Sequence, residues 1–240
     1  MKLKEIYNYL DTVSAFEIQE SWDNSGLIVG DLESEISTIA LSIDIDEKMI
    51  ESLDEGTLII SHHPLIFSGL KDLDYAKYPS NLLHKMIKKN ISNVAMHTNF
   101  DLTHLNEYIA TEILGQKILK QEGFVIYFEV DEEFEPFAKK IASTFGFTQA
   151  KCVKSKQRVK RVALTTGSGC SLIKNIDADC YLTGDIKYHD AMEAKSLNLS
   201  LIEIGHYESE HFFAQILEKH LKNLGLKVII ASSENPFTYI

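Results

Sequence analysis

At 240 residues, 45% of them hydrophobic, the chain is long enough to bury a sizeable core as one large domain or two small ones. Its 24 Lys and Arg against 35 Asp and Glu leave a net charge of −11, a field that repels phosphates and argues against a general nucleic-acid or anionic-membrane surface. Cys152, Cys170 and Cys180 are too few and too scattered for a disulfide framework or a zinc spacing, which fits a reducing cytoplasm.

The opening MKLKEIYNYLDTV lacks the unbroken apolar core of a signal peptide. It spaces Leu3, Ile6, Leu10 and Val13 as an amphipathic helix does. No apolar run approaches the ~20 residues of a membrane helix, so a soluble cytoplasmic protein is expected. SWDNSGLIVGD reads as a turn into a strand, and STIALSIDID as a second strand ending in acidic residues. Asp46 is a good N-cap for a short helix that Gly56 ends. TLIIS is a continuous apolar run, as in a strand buried on both faces. PSNLLHKMIKKN predicts a helix and ISNVAMHTN a further strand. GQKILKQEGFV, around residues 115–125, is the expected seam between two halves.

The second half repeats the alternation. EFEPFAKKIASTFG predicts an amphipathic helix, and RVALTTGSGCSLI a strand, a glycine-rich turn and a helix start. ADCYLTGDIKYHDAMEAKSLN reads as strand, turn and helix, and LSLIEIGHYESEHFFAQILEKHLKN as a strand and one long helix. LKVIIASSENPF predicts a closing strand. The fold class expected is α/β: two closely joined α/β lobes of similar plan, with a metal site in the cleft between them. The first lobe spans residues 1–115, completed by 205–240, and the second spans 116–204.

The chemistry gathers at strand ends. In SHHPLIF, Pro64 holds His63 out of a helix. Adjacent side chains in a regular strand diverge, so His62 and His63 converge only where the strand ends and the backbone turns. Taken alone, they could equally be hydrogen-bonded core residues. AMHTNFDLTHL adds His97, Asp101 and His104 just past another apolar strand. IGHYESEHF sets His206 and Glu210 four apart, on one face if helical, where the bland alternative is an exposed i,i+4 pair. Together His62, His63, Asp101, His206 and Glu210 make a mixed nitrogen and oxygen set that suits Zn, Fe, Mn, Co or Ni. With a bridging carboxylate such a set can hold two divalent ions. His97 is then a supporting residue or a proton carrier.

Weaker signals remain. TGSGCS, residues 166–171, is either a tight turn or a set of backbone amides offered to an anion. TGDIKYHDA contributes Asp185, Lys187 and His189; in a helix Asp185 and His189 would share a face, though Asp185 could equally be a cap. KCVKSKQRVKR, residues 151–161, is a basic patch or a solvated strand edge guarded by lysines.

In this order, SWDNSGLIVGD, SHHPLIF, HTNFD, TGSG, TGDIKYHDA and GHYESE resemble the NIF-three-like dinuclear metal-centre family, whose members are also called GTP cyclohydrolase I type 2 or homologues of it. The resemblance spans nearly the whole chain, down to NPF near its end. It implies two α/β lobes, paired metals in the cleft and a homohexameric ring. It assigns His63 and Asp101 to one ion, His62 and His206 to the other, and Glu210 to both. His97 and His189 match family histidines that are not ligands and are the expected catalytic proton carriers. The sequence departs from the pattern after Asp101, where DLTHLNEYIA is shorter and brings His104, and the large insertion of longer members is absent.

The expected reaction is hydrolysis of a nucleotide, GTP, to formate and 7,8-dihydroneopterin triphosphate, with Lys187, the TGSG amides or the 151–161 patch receiving the triphosphate. The rivals are a non-catalytic metal scaffold or carrier, and a metal-dependent phosphoesterase.

Overall fold

The computed structural model describes residues 1–231 and 233–238; Ser232, Tyr239 and Ile240, which fall in the expected 205–240 segment, lie outside the described residues. Strands β1 (Gly26–Val29), β2 (Thr38–Ser42), β3 (Thr57–Ser61) and β4 (Ser92–Ala95) come first. They are followed by β5 (Ile118–Glu122), β6 (Val125–Glu133), β7 (Cys152–Val153), β8 (Arg158–Thr165), β9 (Cys180–Thr183) and β10 (Ser200–Glu203). The last is β11 (Lys227–Ile230). The chain divides into two compact units, residues 1–100 with 211–240 and residues 101–210, against expected spans of 1–115 with 205–240 and 116–204.

In the first unit the sheet order is β1-β4-β3-β2-β11, parallel throughout except for β1. The central β3 is buried at every residue, as its unbroken apolar run requires between two parallel neighbours. The helix Leu3–Val13 buries Leu3, Ile6 and Leu10. The helix Glu47–Ser52 is capped as expected, Asp46 Oδ1 accepting from Met49 N at 2.7 Å. Ile45, Met49, Ile50, Leu82, Leu83 and Met86 pack with Ala40 and Ile59 into a core over the sheet.

The second unit has the sheet order β5-β6-β8-β9-β10-β7. Strands β8, β9 and β10 are parallel, and antiparallel strands flank them. Residues 115–125, expected as the seam, contain β5 and the turn into β6, because Gly123 takes a positive φ of 57° and lets the chain double back. The expected long helix after β10 is two helices, His206–Glu210 and Phe213–Leu221, with a turn at His211 and Phe212. The stretch after TGSG is a 3-10 helix, Gly169–Asn175. Among the described residues no helix is long and apolar enough to cross a membrane.

Candidate metal centre

In the first unit, strands β2, β3 and β4 run parallel with Ser42, Ser61 and Ala95 in register at their carboxyl ends. Whatever follows each strand therefore arrives at the same edge of the sheet: Asp44 after β2, His62 and His63 after β3, His97 after β4. Antiparallel β1 begins opposite the end of β4, Gly26 facing Ala95, so Asp23 and Ser25 reach that edge too. The strand proper stops at Ser61, and the two histidines then turn to different neighbours. His62 Nδ1 lies 2.9 Å from the Met96 carbonyl, and His63 Nδ1 lies 2.9 Å from Asp44 Oδ1. His97 Nδ1 lies 2.7 Å from Asp23 Oδ1. A carbonyl or carboxylate oxygen only accepts, so each Nδ1 carries a proton, which in a neutral imidazole leaves the lone pair on Nε2. Ligand atoms of His62, His63 and His97 all lie within 4.8 Å of one another.

Asp23 is the anchor of this edge. Its side chain is 0% exposed and accepts from His97, from Thr98 N and Oγ1, from Ser25 Oγ and from Asn24 N. Burial raises its pKa, but the hydrogen bond and charge of His97, with the bonds from Thr98 and Asn24, outweigh that and hold the carboxyl well below its usual range.

The second unit builds its edge by the same rule. Thr165, Thr183 and Glu203 end β8, β9 and β10 in register, and Gly167, Asp185 and His206 follow them. His206 Nδ1 lies 2.6 Å from Asp185 Oδ2, and its Nε2 lies 3.1 Å from Glu210 Oε2, one helical turn on. Burial lowers the His206 pKa, but the hydrogen bonds and charges of the two carboxylates prevail and push it up to about 11. Asp101 and Glu210 are the first and last residues of the unit, and each has a carboxylate oxygen within 4.8 Å of the other's.

Two residues keep these carboxylates in place. Asn106 donates to the Asp101 carbonyl at 3.0 Å, and its Oδ1 accepts from Thr166 N at 2.7 Å. Gly167, at φ 58°, brings its backbone so close that a Cβ there would fall on Glu210 Oε1. Asp101 opens a π-helical turn, Asp101–Leu105, a widening of the helix frequent where side chains are re-aimed for function.

A family model described as Duf34/NIF3 (NGG1p interacting factor 3) matches residues 1–236. The chain belongs to the Duf34/NIF3 family. It is 54% identical to a Campylobacter jejuni protein called GTP cyclohydrolase 1 type 2 homolog, with 100% of both chains covered. It is 44% identical to the Helicobacter pylori protein called GTP cyclohydrolase 1 type 2, with 99% of each covered. A crystal structure of a Staphylococcus aureus hypothetical protein matches with a TM-score of 0.86 at 27% identity, covering 100% of this chain and 99% of that one.

Within this Duf34/NIF3 chain, His62, His63 and His97 come together in the first unit, and in the second Glu210 lies close to both His206 and Asp101. His189 does not join either group: it is exposed in the first turn of the helix Tyr188–Ser196, its ring against Tyr188. Asp185 lies before that helix and does not share a face with His189, because the helix begins only at Tyr188. His104 sits in the π turn with Nδ1 2.7 Å from Thr103 Oγ1.

The TGSG turn is not an open anion cradle. Gly167 N donates to Ser209 Oγ at 3.1 Å and Gly169 N to Thr183 Oγ1 at 2.9 Å. Four of the six Lys and Arg in the basic stretch are ion-paired: Lys151 with Glu203, Lys154 with Glu135, Arg158 with Asp131 and Glu133, and Arg161 with Asp177.

Sequence reasoning missed Asp23, Asp44 and Asn106. The signal for the two aspartates was positional: each flanks a strand whose paired end carries a histidine. The donor chemistry fits divalent transition ions, since imidazole nitrogens and carboxylates make up the set and each histidine has its Nδ1 oriented by an oxygen.

Proposed function

We propose that this protein is a divalent-metal-dependent hydrolase acting on a nucleotide, with GTP as substrate and formate and 7,8-dihydroneopterin triphosphate as products. The observation that carries the reading is the common orientation of His62, His63 and His206. Each has Nδ1 held by a carbonyl or carboxylate oxygen, the arrangement that fixes a metal-ligating imidazole. The names of the Campylobacter and Helicobacter relatives supply the substrate.

In this reading His62, His63, Asp101, His206 and Glu210 would hold the ions. Bound divalent ions supply Lewis acidity that eases the ionisation of water near neutral pH. Asp44 and Asp185 orient His63 and His206 through Nδ1. His97 accepts a proton at Nε2, and buried Asp23 at its Nδ1 stabilises the cation so formed. His189, exposed, is the second candidate carrier. A cytoplasmic homohexameric ring belongs to the same proposal, and sedimentation of the purified protein tests its size.

The decisive experiment incubates metal-loaded protein with GTP and measures formate and oxidised pterin. Both are expected, and both should vanish in Glu210→Ala while the circular dichroism stays native. GTP recovered unchanged would sink the cyclohydrolase reading, and phosphate without formate would favour a phosphoesterase. One observation supports the rival metal carrier: four of the basic residues expected to receive a triphosphate are ion-paired. Reversible metal exchange without turnover is the outcome that reading expects.

A further inference from the structure

Trp22 and Phe67 stand in water, 57% and 52% exposed, though side chains of this size usually turn inward. They are not scattered. Their ring centroids are 5.9 Å apart with planes tilted by 48°, and each meets the His97 ring edge-on, at 6.3 Å and 6.1 Å. Their backbones are fastened from both sides. Asn24 Nδ2 donates to the Ile66 carbonyl at 2.6 Å, joining the loop after Trp22 to the residue before Phe67. Asp23, next to Trp22, is the buried anchor that orients His97.

A fixed, exposed aromatic pair beside an oriented imidazole is suited to a planar heterocycle, because every nucleobase offers a π-face to stack. The charge balance points the same way. With Lys151, Lys154, Arg158 and Arg161 ion-paired and a net charge of −11, phosphates gain little attraction from those cations, and the ring has to supply much of the grip. We propose that Trp22 and Phe67 form a stacking shelf that receives the purine ring of the substrate and sets it beside His97. The inference rests on the nucleotide-hydrolase reading for its ligand class.

Trp22 is the chain's single tryptophan and so its own reporter. The full-length protein, loaded with Zn2+, is titrated with GTP, with guanosine and with inorganic triphosphate, which carries the phosphates and no ring. Saturable fluorescence quenching by GTP and guanosine, and none by triphosphate, is expected. By calorimetry, Trp22→Ala and Phe67→Ala should each weaken GTP binding about tenfold, with Trp22→Phe restoring most of it.

Equal quenching by triphosphate, no saturable change with GTP, or wild-type affinity in Trp22→Ala overturns the shelf. A changed subunit number in Trp22→Ala with unchanged GTP affinity also overturns it, marking the pair as a contact between copies. Quenching by GTP without formate release overturns the hydrolase reading and leaves the shelf standing. Formate release with an unchanged KM in Trp22→Ala overturns the shelf alone.

Discussion

The two strand-end clusters follow one construction rule and differ in charge. In the first unit three imidazoles meet, and the nearby carboxylates, Asp23 and Asp44, stand behind them at Nδ1. In the second unit one imidazole stands between two carboxylates, and a third, Asp101, lies close by. The first cluster presents imidazole nitrogens. The second concentrates negative charge, pushes His206 up to about 11 through Asp185 and Glu210, and leaves a proton that an arriving ion has to displace. Parallel strands in register therefore decide where these side chains gather, and the residue types at the ends decide the charge they present.

The largest expected effect tests the carboxylate-rich cluster. Glu210→Gln keeps the shape and removes the charge, so bound metal per chain should fall and turnover should drop roughly a hundredfold or more, read by elemental analysis and formate release. Full metal content in this variant would break the contrast between the clusters. Gly167→Ala comes next. Its positive φ and the clash of the new Cβ with Glu210 should cost about 3 kcal/mol in urea unfolding. Gly115→Ala, also at positive φ but with nothing within 4 Å, should cost less, about 1–2 kcal/mol.

The supporting aspartates sharpen the comparison further. Asp185→Asn and Asp44→Asn should each weaken metal affinity about 10- to 100-fold in chelator competition. Asp185→Asn should do more harm, since it also strips charge from the more anionic cluster.

The smallest effect is on acid stability. Asp23 has a depressed pKa in the folded chain, so its contribution is present above about pH 4, the unfolded carboxyl's range, and fades as pH falls through the folded value. Asp23→Asn should cost about 1 kcal/mol at pH 7. The gap between variant and wild type should then narrow in urea unfolding at low pH. A gap that widens in acid would contradict the assignment.

Much of the first unit was legible because its signals are local. Leu3, Ile6 and Leu10 repeat at helical spacing, Asp46 caps the next helix, and TLIIS has the unbroken apolar run expected of a strand covered on both faces. The second unit hid more. β5, ILKQE, is mostly exposed and polar, so it carries no burial pattern to read, and its pairing with β6 depends on the turn at Gly123. The break between His206–Glu210 and Phe213–Leu221 left no proline or glycine to announce it. The basic run 151–161 read as either a patch or a lysine-guarded strand edge, because its partners, Glu203, Glu135, Asp131 and Asp177, are distant in sequence.

The sequence by itself determined the residue types of the candidate centre. It also determined their place at strand ends, because an apolar run that stops at a histidine or a glycine is a local fact. Only the tertiary structure decided which oxygen each Nδ1 meets. Met96, Asp44, Asp23 and Asp185 lie 34, 19, 74 and 21 positions from the histidines they orient. Such pairings exist only once parallel strands lie side by side in register, and no periodicity along the chain encodes them.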